Sequence, residues 1–245
     1  MHPQKKGLGH IIHHSWCTNS VGNQNAGGEI HIASTTSLFW LVKRGAMIPK
    51  QFFRVWGGDA PIPDDHQRWW SELKQMHPDY KFYTLKDFSR VNVPSSYQYA
   101  ISHCKTWSGI SDMLRVLCMH QYGGIYLDTD IMPLKPFDDL VEQGQCFLGK
   151  RSQKSFEVAV MGSPKGHPGI KKCIEAFPDY YWKHKEKSNA VSTGPAFISS
   201  ILFGREDVVH LPIKTFYPYN GFMSPKREEK DKMFSDKNNF PPEMI

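Results

Sequence analysis

Ser111-Asp112-Met113-Leu114-Arg115, followed by Tyr122-Gly123-Gly124-Ile125-Tyr126-Leu127-Asp128-Thr129-Asp130, is the stretch of this 245-residue chain that decides its fold. Ile110, Met113, Leu114, Leu117 and Cys118 recur at the spacing of one buried helical stripe, which predicts a helix from about Ser108 to Gln121. Gly123-Gly124 stops that helix. The pair is not a G-x-G-x-x-G phosphate loop. Ile125-Tyr126-Leu127 reads as a buried strand that runs directly into Asp128-Thr129-Asp130. Carboxylates at the C-terminal edge of a parallel sheet face the crevice where α/β folds take their ligands. Two aspartates one residue apart on a turn can converge on one hard cation, leaving positions for phosphates and water. Taken alone a D-x-D is a weak signal, because loops and helix caps use aspartate for their own hydrogen bonds.

Upstream, Gln51-Phe52-Phe53-Arg54-Val55-Trp56 reads as a strand stopped by Gly57-Gly58. Asp64, after Pro61 and Pro63, is the expected N-cap of a helix carrying Trp69, Trp70, Leu73 and Met76 at helical spacing. Lys81 to Leu85 reads as the next strand. Strand, helix and strand in this order form a βαβ unit, so a parallel sheet is expected there. Downstream, Pro168 to about Trp182 and Pro195 to Leu202 read as helices, and Val208 to Leu211 as a short strand. The pattern is α/β. Three zones follow: an extension at 1–46, a dense domain at 47–220 and a polar tail at 221–245. Met47 stands where a shorter chain could begin, and Glu29 to Val42 is the one strand-like stretch of the extension.

Apolar residues make up 40% and charged residues 22% of the chain, enough to build a packed core and too much for a disordered chain. The densest apolar run, Leu38 to Val42, is far short of the roughly 20 residues that span a bilayer, so no transmembrane segment is expected. Net charge is +6, which suits anionic partners. Residues 150–187 hold nine cations against four anions. A solvated basic helix face is the ordinary reading, and steering of an acidic acceptor, DNA or an anionic lipid surface is the functional one. The five cysteines are odd in number and widely spaced, with no C-x-x-C, which fits a reducing cytoplasm. No apolar signal segment follows Lys5-Lys6. The expected setting is the cytoplasm of a bacterial or phage-encoded system, with peripheral attachment at the inner membrane face also compatible.

The run from Ser111 to Pro136 resembles the sugar-binding region of glycosyltransferase family 32, the DXD-containing family related to yeast initiating mannosyltransferases and clostridial glucosylating toxins. Ile48-Pro49-Lys50 with Val55-Trp56-Gly57-Gly58, Ser192-Thr193-Gly194-Pro195, and Leu211-Pro212 with Phe216-Tyr217-Pro218 are similar to the family's other landmarks. The resemblance implies a GT-A type nucleotide-diphospho-sugar transferase fold, a Rossmann-like mixed sheet flanked by helices. It implies a UDP- or GDP-linked sugar donor, a divalent cation (manganese preferred over magnesium) and retention of anomeric configuration. On the matching positions, Asp128 and Asp130 are the metal and diphosphate motif. Asp112 and Arg115, at i and i+3 on one helix, contact donor sugar and phosphate, and with Asp130 they are the catalytic candidates. Trp56 matches the aromatic that stacks on the base, and Tyr126 lines the donor site or packs in the core.

One departure is plain. Members of the family commonly carry a His-His-Trp-like stretch after the tyrosine-proline segment, and here the sequence reads Pro241-Pro242-Glu243-Met244-Ile245. His13-His14-Ser15-Trp16 occurs instead near the N-terminus, so His13 or His14 is a further candidate metal ligand. The expected acceptor is a glycan or lipid-linked glycan. Rival readings are a glycosyltransferase acting on modified DNA bases, a metal-dependent phosphohydrolase, and a non-catalytic sugar-nucleotide-binding pseudoenzyme.

Overall fold

The computed structural model describes residues 46–217. The strand-like stretch at 29–42, the His13-His14 pair and the 221–245 tail lie outside the described residues. Six strands form one sheet: β1 (Gln51–Val55), β2 (Lys81–Leu85), β3 (Gly124–Leu127), β4 (Cys146–Ser152), β5 (Ser155–Ser163) and β6 (Val208–Leu211), in the order β2-β1-β3-β5-β4-β6. β1 runs parallel to β2 and β3, and β4 runs parallel to β6. β5 is antiparallel to both β3 and β4. The expected parallel unit is present, and the sheet as a whole is mixed.

Side-chain alternation divides the core in two. On β1, Phe52 joins one cluster while Phe53 and Val55 join the other; on β3, Ile125 and Leu127 oppose Tyr126 in the same way. Helix α1 (Asp64–Met76) supplies Trp70 and Leu73 to the first cluster. Its N-cap is Pro63, with no side-chain capping bond, so Asp64 is the first helical residue instead of the cap. There it places negative charge in the first turn, where the helix dipole favours it. The second cluster is built by α3 (Trp107–Gln121), α5 (Pro168–His184) and α7 (Pro195–Leu202), after the one-and-a-half-turn α2 (Gln98–His103). Short α4 (Asp138–Glu142) and α6 (Asn189–Ser192) complete the set.

Helix α3 is buried almost all round, with every residue from Asp112 to Met119 buried. It ends at the two glycines. Gly123 has φ +67° and Gly124 φ +103°. A Cβ on Gly124 would fall 2.6 Å from the Gln51 carbonyl, so β1 and β3 can pair only if this position has no side chain. The stretch 150–187 is not one helix face: Lys150, Arg151 and Lys154 lie on the β4–β5 hairpin, and Lys171, Lys172 and Lys183 on α5. No helix of the described residues is long and apolar enough to cross a membrane.

Candidate active site

Strand β3 delivers the two carboxylates. All four of its residues are buried, and Asp128 follows immediately, its N–H donating to the Ala159 carbonyl at 2.8 Å. Asp128 and Asp130 line a cleft of about 480 Å³ whose walls are Val55, Trp56 and Gly57 at the end of β1, and Trp107, Ser108, Ser111 and Arg115 on α3. A crevice outside the carboxyl ends of β1 and β3 is where an α/β sheet is expected to bind its ligand.

Arg115 organises this floor. Its Nη2 donates to Asp128 Oδ1 at 3.0 Å and lies 3.2 Å from Asp112 Oδ1. Its Nη1 donates to the Val158 carbonyl, and its Cζ sits 4.4 Å from the centre of the Tyr126 ring. Burial opposes the charge, but Asp128, Tyr126 and Asp112 together hold the guanidinium well above its ordinary pKa. Asp112 and Arg115 do share one helix face, as their spacing requires. Asp112 is buried and accepts from Thr193 Oγ1 at 2.7 Å; burial raises its pKa, and Arg115 and Thr193 work the other way.

Tyr126 is placed behind Asp128. Only 1% of it is exposed, and its hydroxyl donates to Asp128 Oδ1 at 2.9 Å while receiving from Ser111 Oγ at 2.8 Å. It is therefore a core residue whose one polar atom reaches the site. Desolvation pushes the Asp128 carboxyl up to about 6, against Arg115 and the Tyr126 hydroxyl, and Asp130 adds like charge. Asp130 is exposed. A cation between the two carboxylates would relieve their repulsion, and the donor set (carboxylates, open positions, oxygen chemistry) fits magnesium or manganese. No cluster of three or more His, Cys, Asp or Glu side chains suited to a metal occurs among the described residues. His13 and His14 lie outside them.

Trp56 lines the same cleft. Its Nε1 donates to the Ala60 carbonyl at 2.7 Å, and its ring meets the His66 ring edge-on at 6.4 Å. Trp107 is 50% exposed and covers Gly57, where a Cβ would come within 1.9 Å of its ring. The sequence reading missed Ser111, Trp107 and Thr193 as members of this region. Thr193 lay in the quoted Ser-Thr-Gly-Pro landmark, but its partner is 81 residues away, and no local pattern reveals that pairing.

Residues 63–147 match the family described as "Glycosyltransferase sugar-binding region containing DXD motif". Over those residues the chain is similar to that family. It is 28% identical over 174 residues to inositol phosphoceramide mannosyltransferase 3 of Schizosaccharomyces pombe, covering 64% of this chain and 46% of that protein. It is 30% identical over 168 residues to mannosyl phosphorylinositol ceramide synthase SUR1 of Saccharomyces cerevisiae, covering 63% and 42%. The chain thus spans less than half the length of these curated relatives. Among solved structures, "PaToxG Glycosyltransferase" superposes with a TM-score of 0.54 at 18% identity, covering 64% of this chain and 70% of that chain, a likeness of fold. The architecture is of the GT-A type.

Proposed function

We propose that this chain transfers a sugar from a nucleotide-diphosphate donor with retention of configuration, assisted by a divalent cation for which we favour manganese. The observation that carries this reading is the carboxylate pair Asp128 and Asp130 lining one cleft with Trp56, with Arg115 fixing Asp128. The cation, when bound by Asp128 and Asp130, supplies positive charge opposite the departing diphosphate. Arg115 holds the Asp128 carboxylate ionised and oriented and adds its own fixed charge to the floor of the cleft. Asp112, itself fixed by Thr193, orients a donor sugar hydroxyl. Trp56 offers a ring face to the base. Retention needs no protein nucleophile if the acceptor attacks from the face the diphosphate leaves. The names of the fungal relatives speak of mannosyl transfer to inositol phosphoceramide, and on that likeness we favour a lipid-linked acceptor over a modified DNA base. A cytoplasmic setting at a membrane face suits that acceptor.

A thermal-shift panel of UDP-glucose, UDP-galactose, UDP-N-acetylglucosamine and GDP-mannose, each with manganese and with chelator, tests the reading. A ligand that binds only the folded chain raises its melting temperature. The expected result is a manganese-dependent shift with one donor. Equal melting temperatures with every donor, metal or chelator, would tell against it.

A further inference from the structure

Beside the donor cleft lies a second cavity of about 360 Å³, lined among others by His103, Lys105, Thr106, Lys185, Glu186 and Asn189. Two connections join it to the site. Thr106 in the cavity is followed directly by Trp107 and Ser108 in the cleft. Ser192 in the cavity is followed by Thr193, which holds Asp112. The wall between the two spaces is fixed, because Asn189 Nδ2 donates to Thr106 Oγ1 at 2.6 Å, and Thr106 caps α3. The two spaces therefore share one wall, built on consecutive residues of the chain.

The cavity's chemistry is cationic. Lys105 and Lys185 face one carboxylate, Glu186. Lys185 is held in place by aromatic groups: its Nζ donates to Tyr99 Oη at 2.8 Å and lies 4.2 Å from the centre of the Trp182 ring. It forms no ion pair with a carboxylate among the described residues. An ammonium fixed by ring faces and a hydroxyl keeps its charge available for an incoming anion. Next to Lys185 in the chain, Lys183 and Lys187 are exposed, and the Trp182 ring that holds Lys185 is itself 59% exposed.

We propose that this cavity is the acceptor subsite and that it takes a phosphate-bearing headgroup on Lys105 and Lys185. The proposal rests on the glycosyltransferase reading for its role and on the cavity itself for its ligand. Its test is equilibrium binding by the full chain to two probes: glycerol 3-phosphate in solution, and phosphatidylcholine vesicles with and without phosphatidylinositol. The variants are the Lys105→Gln/Lys185→Gln pair, Lys183→Gln as a loss of one charge outside the cavity, and Glu186→Gln. We expect binding to either probe to weaken about tenfold or more in the pair, to change little in Lys183→Gln, and to tighten in Glu186→Gln. Binding to both probes assigns the free phosphate group as sufficient, and binding to the doped vesicles alone assigns the lipid headgroup. No binding to either probe, an unaffected pair, or an equal loss in Lys183→Gln would overturn the proposal. Manganese-dependent donor shifts run in parallel on every variant. They should persist in the pair, and their absence from the parent chain would count against the transferase reading while leaving a phosphate site intact.

Discussion

At the scale of single residues, Asp128 is held from two sides. One oxygen, Oδ1, accepts from both Arg115 and Tyr126. Tyr126→Phe removes one of those donors and takes the acceptor from the half-buried Ser111 hydroxyl at the cleft. We expect a loss of about 1–2 kcal/mol of stability, measured by denaturant unfolding, together with reduced donor-dependent thermal shift. Asp130 is exposed and carries no such structural duty, so Asp130→Ala should abolish transfer while the melting temperature of the metal-free chain stays unchanged. Unchanged turnover would remove Asp130 from the metal role. Spacing puts Asp112 and Arg115 on one helix and the strand end delivers Asp128, but their choice as site residues rests on the family resemblance, and the Arg115–Asp128 bond was not foreseen. Thr193→Val leaves the buried Asp112 carboxylate short of a donor, and its cost could be foreseen only with the 81-residue contact in view.

At the scale of elements, helix α3 and strand β3 could be read from their periodicity, and their ends hold to within a residue. The β4–β5 hairpin could not. Cys146 to Ser163 contains Lys, Arg, Gln and Ser in its middle, where the strands leave the core, and that polar centre hid two strands inside a stretch read for its charge. The short helices α2, α4 and α6 are too brief to print a period. The α3–β3 junction is where sequence and structure agree most closely, and it can be broken cleanly. Gly124→Ala places a Cβ against the Gln51 carbonyl at positive φ, which should destabilise the fold by about 3 kcal/mol or more in urea unfolding. A mild effect there would mean that β1 can shift away from β3.

Across the described residues, buried and half-buried histidines shape the response to pH. His77, His120, His167 and His210 are each held below the ordinary value of 6.5 by burial. His77 accepts from the Phe137 N–H through Nε2, which puts its proton on Nδ1, 3.3 Å from Asp138 Oδ2. A depressed imidazole binds its proton more readily in the unfolded chain, so this stability is present above 6.5 and is lost as pH falls below it. The raised carboxyls of Asp112 and Asp128 work in the opposite sense, since the folded chain is the better proton acceptor there, and Asp128, with its pKa at about 6, offsets part of the histidine effect in this range. The melting temperature should therefore fall as pH drops from about 7 to about 6, with chelator present, and His77→Gln should flatten that slope. An unchanged slope in the variant would exclude His77 as a contributor.

The second cavity also contains Cys104, and this gives the molecule an unplanned chemical handle. Cys118, Cys146 and Cys173 are buried, and burial pushes the first two thiols up to about 12 and the third higher still, so each is withheld as a thiolate from alkylating reagents. Cys104 is half-buried at the cavity wall. Among the described cysteines, a maleimide should therefore modify Cys104 first. The rate of that single modification, followed by mass spectrometry, becomes a clock for occupancy: any molecule resting against Lys105 and Lys185 slows it, whether or not a sugar is ever transferred.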